Sequence, residues 1–427
     1  MSQLHENAQS VRSLDEVSHA PRREDPIGFI LRLTKALHTY GVPAYELEQI
    51  VNAISDAMGF GVQCLSTPTA ITMTLLPPNE LPQTYVIRVS PGEVNMDKLV
   101  CTTSIAENVI ARTITTKEGA DQLKEIARRP PLYPKWLIMF AFAFVSAGIA
   151  RIFTGGIEEI ISAASIGLVI GFMSTQLRHI RFFKYLFPAI SALVATMVAF
   201  LMNYFLPQPI AIFVVLISGL IILLPGMSLT IAMAELATEN LVSGTARFFG
   251  AVIVFIQLAF GSAIGVQVGQ ILFGPIPVIE LQPVAEWSIW LAVITAVVAL
   301  VPLFEAKWKE THWFILAAVT AFATLRYSTP YIGPFMGAFV GAISVGLIAK
   351  FVSHFFNKPG AFILMPGLLI LVPGSVGYKS IIALIENDIL KGLETAFEVS
   401  IIAISLVSGL LVSSLLKLPM RELSEDD

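Results

Sequence analysis

The sequence predicts a polytopic α-helical membrane protein: ten transmembrane helices forming an inverted 5+5 repeat, preceded by a small cytosolic α+β domain. Three observations predict it. The 427-residue chain is 55% hydrophobic and only 14% charged, with a mean hydropathy of +0.75. A soluble globular protein carries about 25% charged residues. Ten apolar runs follow residue 135. Two short stretches are near copies: Ser218–Gly226 reads SGLIILLPG and Pro366–Gly374 reads PGLLILVPG. Each is an apolar run ending in Pro-Gly, which breaks a helix because proline lacks the backbone donor and glycine adds freedom.

The chain opens on a polar stretch, 1–25, with no apolar core. It reads as a disordered tail rather than a signal peptide. Residues 26–130 have the composition of a soluble domain. Phe29, Ile30, Leu33 and Leu37 recur at helical spacing up to Gly41. Leu47, Ile50, Val51 and Ile54 mark a second helix over 44–58. Two strand-like runs, 62–76 and 84–89, are separated by Pro77-Pro78-Asn79. Asp97 is the expected cap of a third helix over 98–113, and 118–128 forms a fourth.

Ile126–Lys135 (IARRPPLYPK) places basic residues against the first apolar run, which holds that flank in the cytoplasm. The apolar runs lie near 136–153, 158–176, 185–206, 210–224, 246–273, 287–304, 312–327, 331–351, 360–372 and 394–416. A span needs about 20 residues. The fourth and ninth are short, and both end at the Pro-Gly pairs. Basic residues fall in the loops that this count puts inside: Arg178, His179, Arg181 and Lys184, then Lys307 and Lys309, then Lys350 and Lys358. Arg326, Lys379 and Lys391 are exceptions to the bias. Both termini are therefore expected in the cytoplasm of a multi-pass cell-membrane protein.

The two Pro-Gly pairs are 148 residues apart, and the same offset relates Gly244 to Gly392 and Gly261 to Gly409. Two five-span units, 131–277 and 278–418, follow, with an acidic tail at 419–427. Five is odd, so the second unit enters from the opposite side, as in many secondary transporters. Five tryptophans, Trp136, Trp287, Trp290, Trp308 and Trp313, sit at span ends as an interfacial belt.

Other classes find little support. The net charge of −4 argues against a nucleic-acid partner. No HExxH, nucleophile elbow or P-loop appears, so neither a common hydrolase nor an ATP-driven pump is expected, and no cofactor or metal is implied. Cys64 and Cys101 read as free thiols.

The candidate substrate site gathers at the breaks. A run of 15 residues is about 22 Å long as a helix, shorter than a hydrocarbon core of about 30 Å. The Pro225-Gly226 break is thus expected inside the membrane, with 227–242 as a half-helix. Its unpaired first N–H groups, beside Ser228 and Thr230, suit a carboxylate. Pro373, Gly374 and Ser375 offer the inverted copy. Glu235 and Glu239, four apart on one helix face, are candidates for a substrate ammonium or a coupling proton. The alternative is a solvated surface face for the acids and a plain helix end for each Pro-Gly. Glu386 and Asp388 carry the same ambiguity in the second unit. Asn203, Gln176 and Arg247 read as structural or interfacial. Replacing Pro225 and Gly226 by alanine is expected to leave a folded protein with a continuous helix.

Several stretches together resemble the threonine/serine exporter family. They are Gly41-Val-Pro-Ala-Tyr45-Glu-Leu-Glu48, Ser66-Thr-Pro-Thr69, Phe153-Thr-Gly-Gly156, Leu224-Pro-Gly226, Glu235 and Ser243-Gly-Thr-Ala-Arg247. Leu371-Val-Pro-Gly-Ser375 and Gly377 resemble the partner module that some bacteria make as a separate chain, so two modules are fused here. The resemblance implies proton-driven antiport of threonine and serine across the bacterial inner membrane. A two-chain relative is linked instead to dicarboxylate (succinate) export. The implied partners are a small-molecule substrate, protons and membrane lipid, in a homo-oligomer or a monomer. A small-solute channel with a regulatory cytosolic domain is the remaining alternative. Where the family pattern has aspartate, this chain has Glu235.

Overall fold

The architecture comes from a computed structural model. It describes residues 26–77, 81–177, 180–276, 279, 281–282, 284–356, 360–372, 374–385 and 388–415. Arg178, His179, Pro277, Lys358, Pro373 and Glu386, and the expected tails 1–25 and 419–427, lie outside the described residues.

The apolar spacing of the first hundred residues closes a core. Helices α1 (Pro26–Thr39) and α2 (Ala44–Ala57) precede an antiparallel sheet of β1 (Gly61–Thr67), β2 (Ala70–Leu76) and β3 (Gln83–Arg88) in the order β1-β2-β3. Helices α3 (Met96–Ile110) and α4 (Thr116–Arg128) follow. Phe29, Leu33, Leu47, Ile71, Met73, Leu75 and Leu123 are buried in one cluster. Three details differ from the sequence reading. The run 62–76 is a hairpin rather than one strand, because the Thr67 hydroxyl and the Ala70 backbone exchange hydrogen bonds and close a tight turn. Helix α3 is capped by Asn95, whose side chain accepts the Lys98 N–H at 3.0 Å, which leaves Asp97 to pair with Lys307 at 2.9 Å. A capping box between Thr115 and Glu118 starts α4. Cys64 and Cys101 are free.

The rest of the described chain is helical: α5 (Lys135–Ile152), α6 (Ile157–Gln176), α7 (Arg181–Phe205), α8 (Ile212–Leu220, with a 3-10 turn at Ile221–Leu223), α9 (Gly226–Ala237), α10 (Leu241–Phe273), α11 (Ser288–Leu303), α12 (Thr311–Phe356), α13 (Ala361–Leu371), α14 (Gly374–Ile385) and α15 (Ile389–Leu415). Among the described residues seven stretches are long and apolar enough to cross a membrane, one of them, Phe362–Ser380, taking in most of α13 and the first part of α14. Helices α8 and α9, bent by 57° at their break, make an eighth if counted as one span. The protein is a polytopic helical membrane protein. Helix α12 is long for one crossing and is interrupted at Gly333, whose φ of 80° and ψ of 168° lie outside the helical region. That interruption lies just inside the run that the sequence placed at 331–351, after the one at 312–327. Phe140, Phe144, Phe249, Ile253 and Phe260 remain exposed on the outer surface, as lipid-facing side chains do.

The packing is reciprocal. Helix α9 lies against α10 and α15, while α14 lies against α15 and α10. A Cβ on Gly261 of α10 would meet the Ala189 carbonyl of α7 at 2.0 Å, and one on Gly409 of α15 would meet the Phe339 carbonyl of α12 at 2.4 Å. Glycine at these two positions, 148 residues apart, lets each helix pair approach backbone to backbone.

Candidate functional site

Both breaks form, and they meet. Leu224 is extended (φ −65°, ψ 126°), and the first intrahelical acceptor of α9 is the Pro225 carbonyl, bonded by the Leu229 N–H at 3.0 Å. On the other side Val372 is extended (φ −67°, ψ 133°) before α14 begins at Gly374. A Cβ on Gly226 would stand 2.3 Å from Val372 Cγ1 and 3.1 Å from the Gly374 Cα. The glycines thus let two half-helix starts touch, each presenting N–H groups that have no intrahelical partner. Gly374 is buried, and Ser228 and Ser375 are half-buried beside the contact. Thr230 is buried, with a hydroxyl that has no partner. It lies one turn into α9, on the same face as Gly226. In the second unit the corresponding residue is Tyr378, buried and hydrogen-bonded to Ser262 of α10 at 2.5 Å.

The acids fall differently from the sequence reading. Helix α9 ends at Ala237, so Glu235 and Glu239 do not share its face. Glu239 is exposed in the turn, with a left-handed φ of 64°. Glu235 has 0% exposure. It is neither solvated nor free. Arg247 donates Nε to its Oε2 and Nη2 to its Oε1, both at 3.1 Å, a two-point grip that fits the planar guanidinium. The Ala44 N–H donates to the same Oε1 at 3.1 Å. Ala44 is the first residue of α2, so the carboxylate also caps that helix. Arg247 is therefore a partner of Glu235 and not only an interfacial anchor. Asp388 accepts the Lys391 N–H at 3.2 Å and is exposed. Asn203 accepts the Ile210 N–H, and Gln176 accepts a Lys135 ammonium hydrogen.

Three further groups surround Glu235. His38 is buried, with Nε2 at 3.1 Å from the Thr67 carbonyl and Nδ1 without a partner. Burial lowers its pKa, and Arg247 lowers it further. Burial pushes the Tyr45 phenol up to about 12. Burial raises the Glu48 carboxyl against the opposing Ser66 N–H bond. The motif Gly41–Glu48 thus meets the Glu235–Arg247 pair directly. Sequence periodicity missed this, because it cannot relate residues about 190 positions apart in the chain; only the shared family resemblance of both stretches hinted at it.

Two buried charges at the other end of the bundle were also missed. Arg151, at 3% exposure, donates to Ser288 Oγ and to the Val284 and Ala285 carbonyls. Glu159, at 4%, accepts the Gly156 and Ala211 N–H groups and so ties the start of α6 to the start of α8.

A family model described as "Putative threonine/serine exporter" matches residues 28–269, and a second, "Threonine/Serine exporter, ThrE", matches 288–416. The chain belongs to the threonine/serine exporter family. The two modules divide between α10 and α11. Among curated proteins, an uncharacterized protein of Schizosaccharomyces pombe is 23% identical over 400 residues, 90% of this chain and 46% of its own. Pheromone-regulated membrane protein 10 of Candida glabrata is 22% identical over 378 residues (87% and 47%), and that of Candida albicans SC5314 is 24% identical over 395 (87% and 34%). The chain spans about half or less of the length of these relatives. No solved structure matches.

Proposed function

We propose that this exporter moves small polar amino acids, threonine and serine, out of the cytoplasm by proton-coupled antiport. It does so through a site beside the paired breaks, in the plasma membrane, as a monomer or homo-oligomer. The observation that carries the reading is the contact of Gly226 with Gly374 and Val372. The starts of two half-helices meet there, which supports a carboxylate site at the centre of an inverted repeat. Ser228, Thr230 and Ser375 line it with hydroxyls. Ten spans in two units, 131–277 and 278–418, with residues 26–130 on the cytosolic side, fit the reciprocal packing of α9 and α14.

One observation favours the second reading, export of a dicarboxylate. Glu235 is committed to Arg247 and the α2 N-terminus, so it holds no substrate ammonium in this state. Counterflow in proteoliposomes, with radiolabelled threonine or succinate inside and out and with or without a pH gradient, separates the readings. Saturable threonine counterflow that is driven outward by a pH gradient is the expected result. Saturable succinate counterflow alone favours the second reading, and non-saturable flux of either solute indicates a channel.

A further inference from the structure

The N-terminal unit, residues 26–128, touches the bundle at two places of unequal strength. At the 304–307 loop between α11 and α12, the Met96 and Asp97 N–H groups donate to the Phe304 and Glu305 carbonyls at 2.9 and 3.2 Å. Asn95 donates to the Glu305 carboxylate at 3.1 Å, and Lys307 pairs with Asp97 at 2.9 Å. The segment leading into α5 joins the same loop: Tyr133 donates its hydroxyl to the Ala306 carbonyl, and the Leu132 N–H to Glu305. Glu305 itself takes a left-handed φ of 51° to present these acceptors. The other place is around the Glu235 carboxylate, which takes one hydrogen bond from the unit, the Ala44 N–H, beside a packing contact of β1 with α10.

The costs of parting these contacts differ. Separation at 304–307 strands two backbone acceptors, a carboxylate and an ion pair, and is opposed by the covalent link at 129–134. Separation at Glu235 leaves the carboxylate still held twice by Arg247, and the freed Ala44 N–H is one of the first-turn donors of a helix, which water can satisfy. The first contact has the properties of a hinge and the second those of a latch. The latch closes on α9, the half-helix that opens at Gly226, and the hinge closes on the other family module.

We propose that residues 26–128 are a strap, hinged on the 304–307 loop and latched on Glu235, and that release of the Ala44–Glu235 contact frees α9 to move. The strap stands on this geometry, and its link to turnover rests on the transport reading above.

Ala44→Pro opens the latch while the start of α2 keeps its backbone shape. Pro43 is already extended (φ −62°, ψ 157°), as a residue before proline must be, and the first helical position accepts proline. The N–H is lost and the ring carbon that replaces it stands against the Glu235 carboxylate, 3.1 Å from the nitrogen, so the latch is forced open. Hydrogen exchange is read on the reconstituted full chain. In Ala44→Pro, amides of 230–240 are expected to exchange about tenfold faster, the factor that ~1.4 kcal/mol supplies, while amides of 96–100 stay unchanged. Glu305→Gly, which suits the left-handed φ, should loosen 96–100 and leave 230–240 alone. Should the Ala44→Pro chain fail to fold, exchange in the unaltered protein is read instead, where amides of 44–48 and 230–240 are expected to open together and faster than those of 96–100. Unchanged exchange over 230–240, or loosening of both regions by either variant, overturns the strap. Threonine counterflow should rise in Ala44→Pro. A slower counterflow together with faster exchange overturns the release step. Absence of flux from the unaltered protein indicts the transport reading, while the exchange measurements still decide the strap.

Discussion

At the residue scale, Glu235 and Arg247 act as a unit. Removing Arg247 alone leaves a carboxylate with 0% exposure and one hydrogen bond. Breaking a buried pair by removing one partner costs about 3–5 kcal/mol, whereas replacing both partners costs far less. Arg247→Met should therefore lower the thermal midpoint in detergent, and Glu235→Met in the same chain should restore much of the loss. Additive losses would show that the pair is not coupled. His38 makes a separate prediction, with a sign fixed by burial. Its folded pKa lies below the ordinary value of about 6.5. Below that value the unfolded chain takes up a proton that the folded chain resists, so stability is full above pH ~6.5 and falls as the pH drops toward the folded pKa. The positive Arg247 near the ring adds to the effect, with Glu235 opposing it. Chemical unfolding of the N-terminal unit between pH 7.5 and 5.5 should show the slope, and His38→Gln should flatten it. The Thr230 hydroxyl, buried without a partner, belongs to the proposed substrate site. Thr230→Val keeps its shape and should weaken threonine counterflow while leaving the thermal midpoint within about 1 kcal/mol of stability, since no protein hydrogen bond is lost.

At the element scale the breaks carry the argument. The sequence reads Pro225-Gly226 as two helix-poor residues whose replacement by alanine leaves a folded, straighter helix. The contact with Val372 and Gly374 reverses that expectation for the glycine. A methyl at 226 overlaps a branched side chain and a backbone, and overpacking of this kind costs about 1–3 kcal/mol. Gly226→Ala should lower the thermal midpoint and impair counterflow. Pro225→Ala, which adds no atom to the contact, should be the milder change. Equal midpoints for Gly226→Ala and the unaltered chain would mean that the two breaks do not touch. Helix α9 also stops at Ala237, where Asn240 N–H bonds the Glu235 carbonyl at 2.8 Å, so the turn to α10 comes earlier than apolar periodicity suggests.

At the scale of the whole molecule, the proposed odd span count per unit would set the sides of the membrane. Gln208 is exposed just before α8, and Lys307 lies in the loop that meets the N-terminal unit. Single cysteines at these two positions, in a chain with Cys64 and Cys101 replaced by serine, should label from opposite sides with an impermeant maleimide. Labelling of both from one side would end the inverted-repeat reading. Membrane character, the helices and the two breaks were legible in the sequence because they rest on composition and on spacings of a few residues. Hydrophobic runs, Pro-Gly pairs and a 148-residue offset are local or periodic signals. The Thr67–Ala70 turn, the Asn95 cap and the end of α9 were not legible, because residues of similar propensity compete for each boundary and hydrogen bonds decide among them. What only the tertiary structure decided is which groups meet. Glu235 is buried and bonded to Ala44 and Arg247 rather than solvated, and Gly226 is needed for close contact with the second break as well as for turning the chain. Those facts depend on distances between residues some 150 to 190 positions apart, and a buried charge takes its role from the partner that packing brings to it.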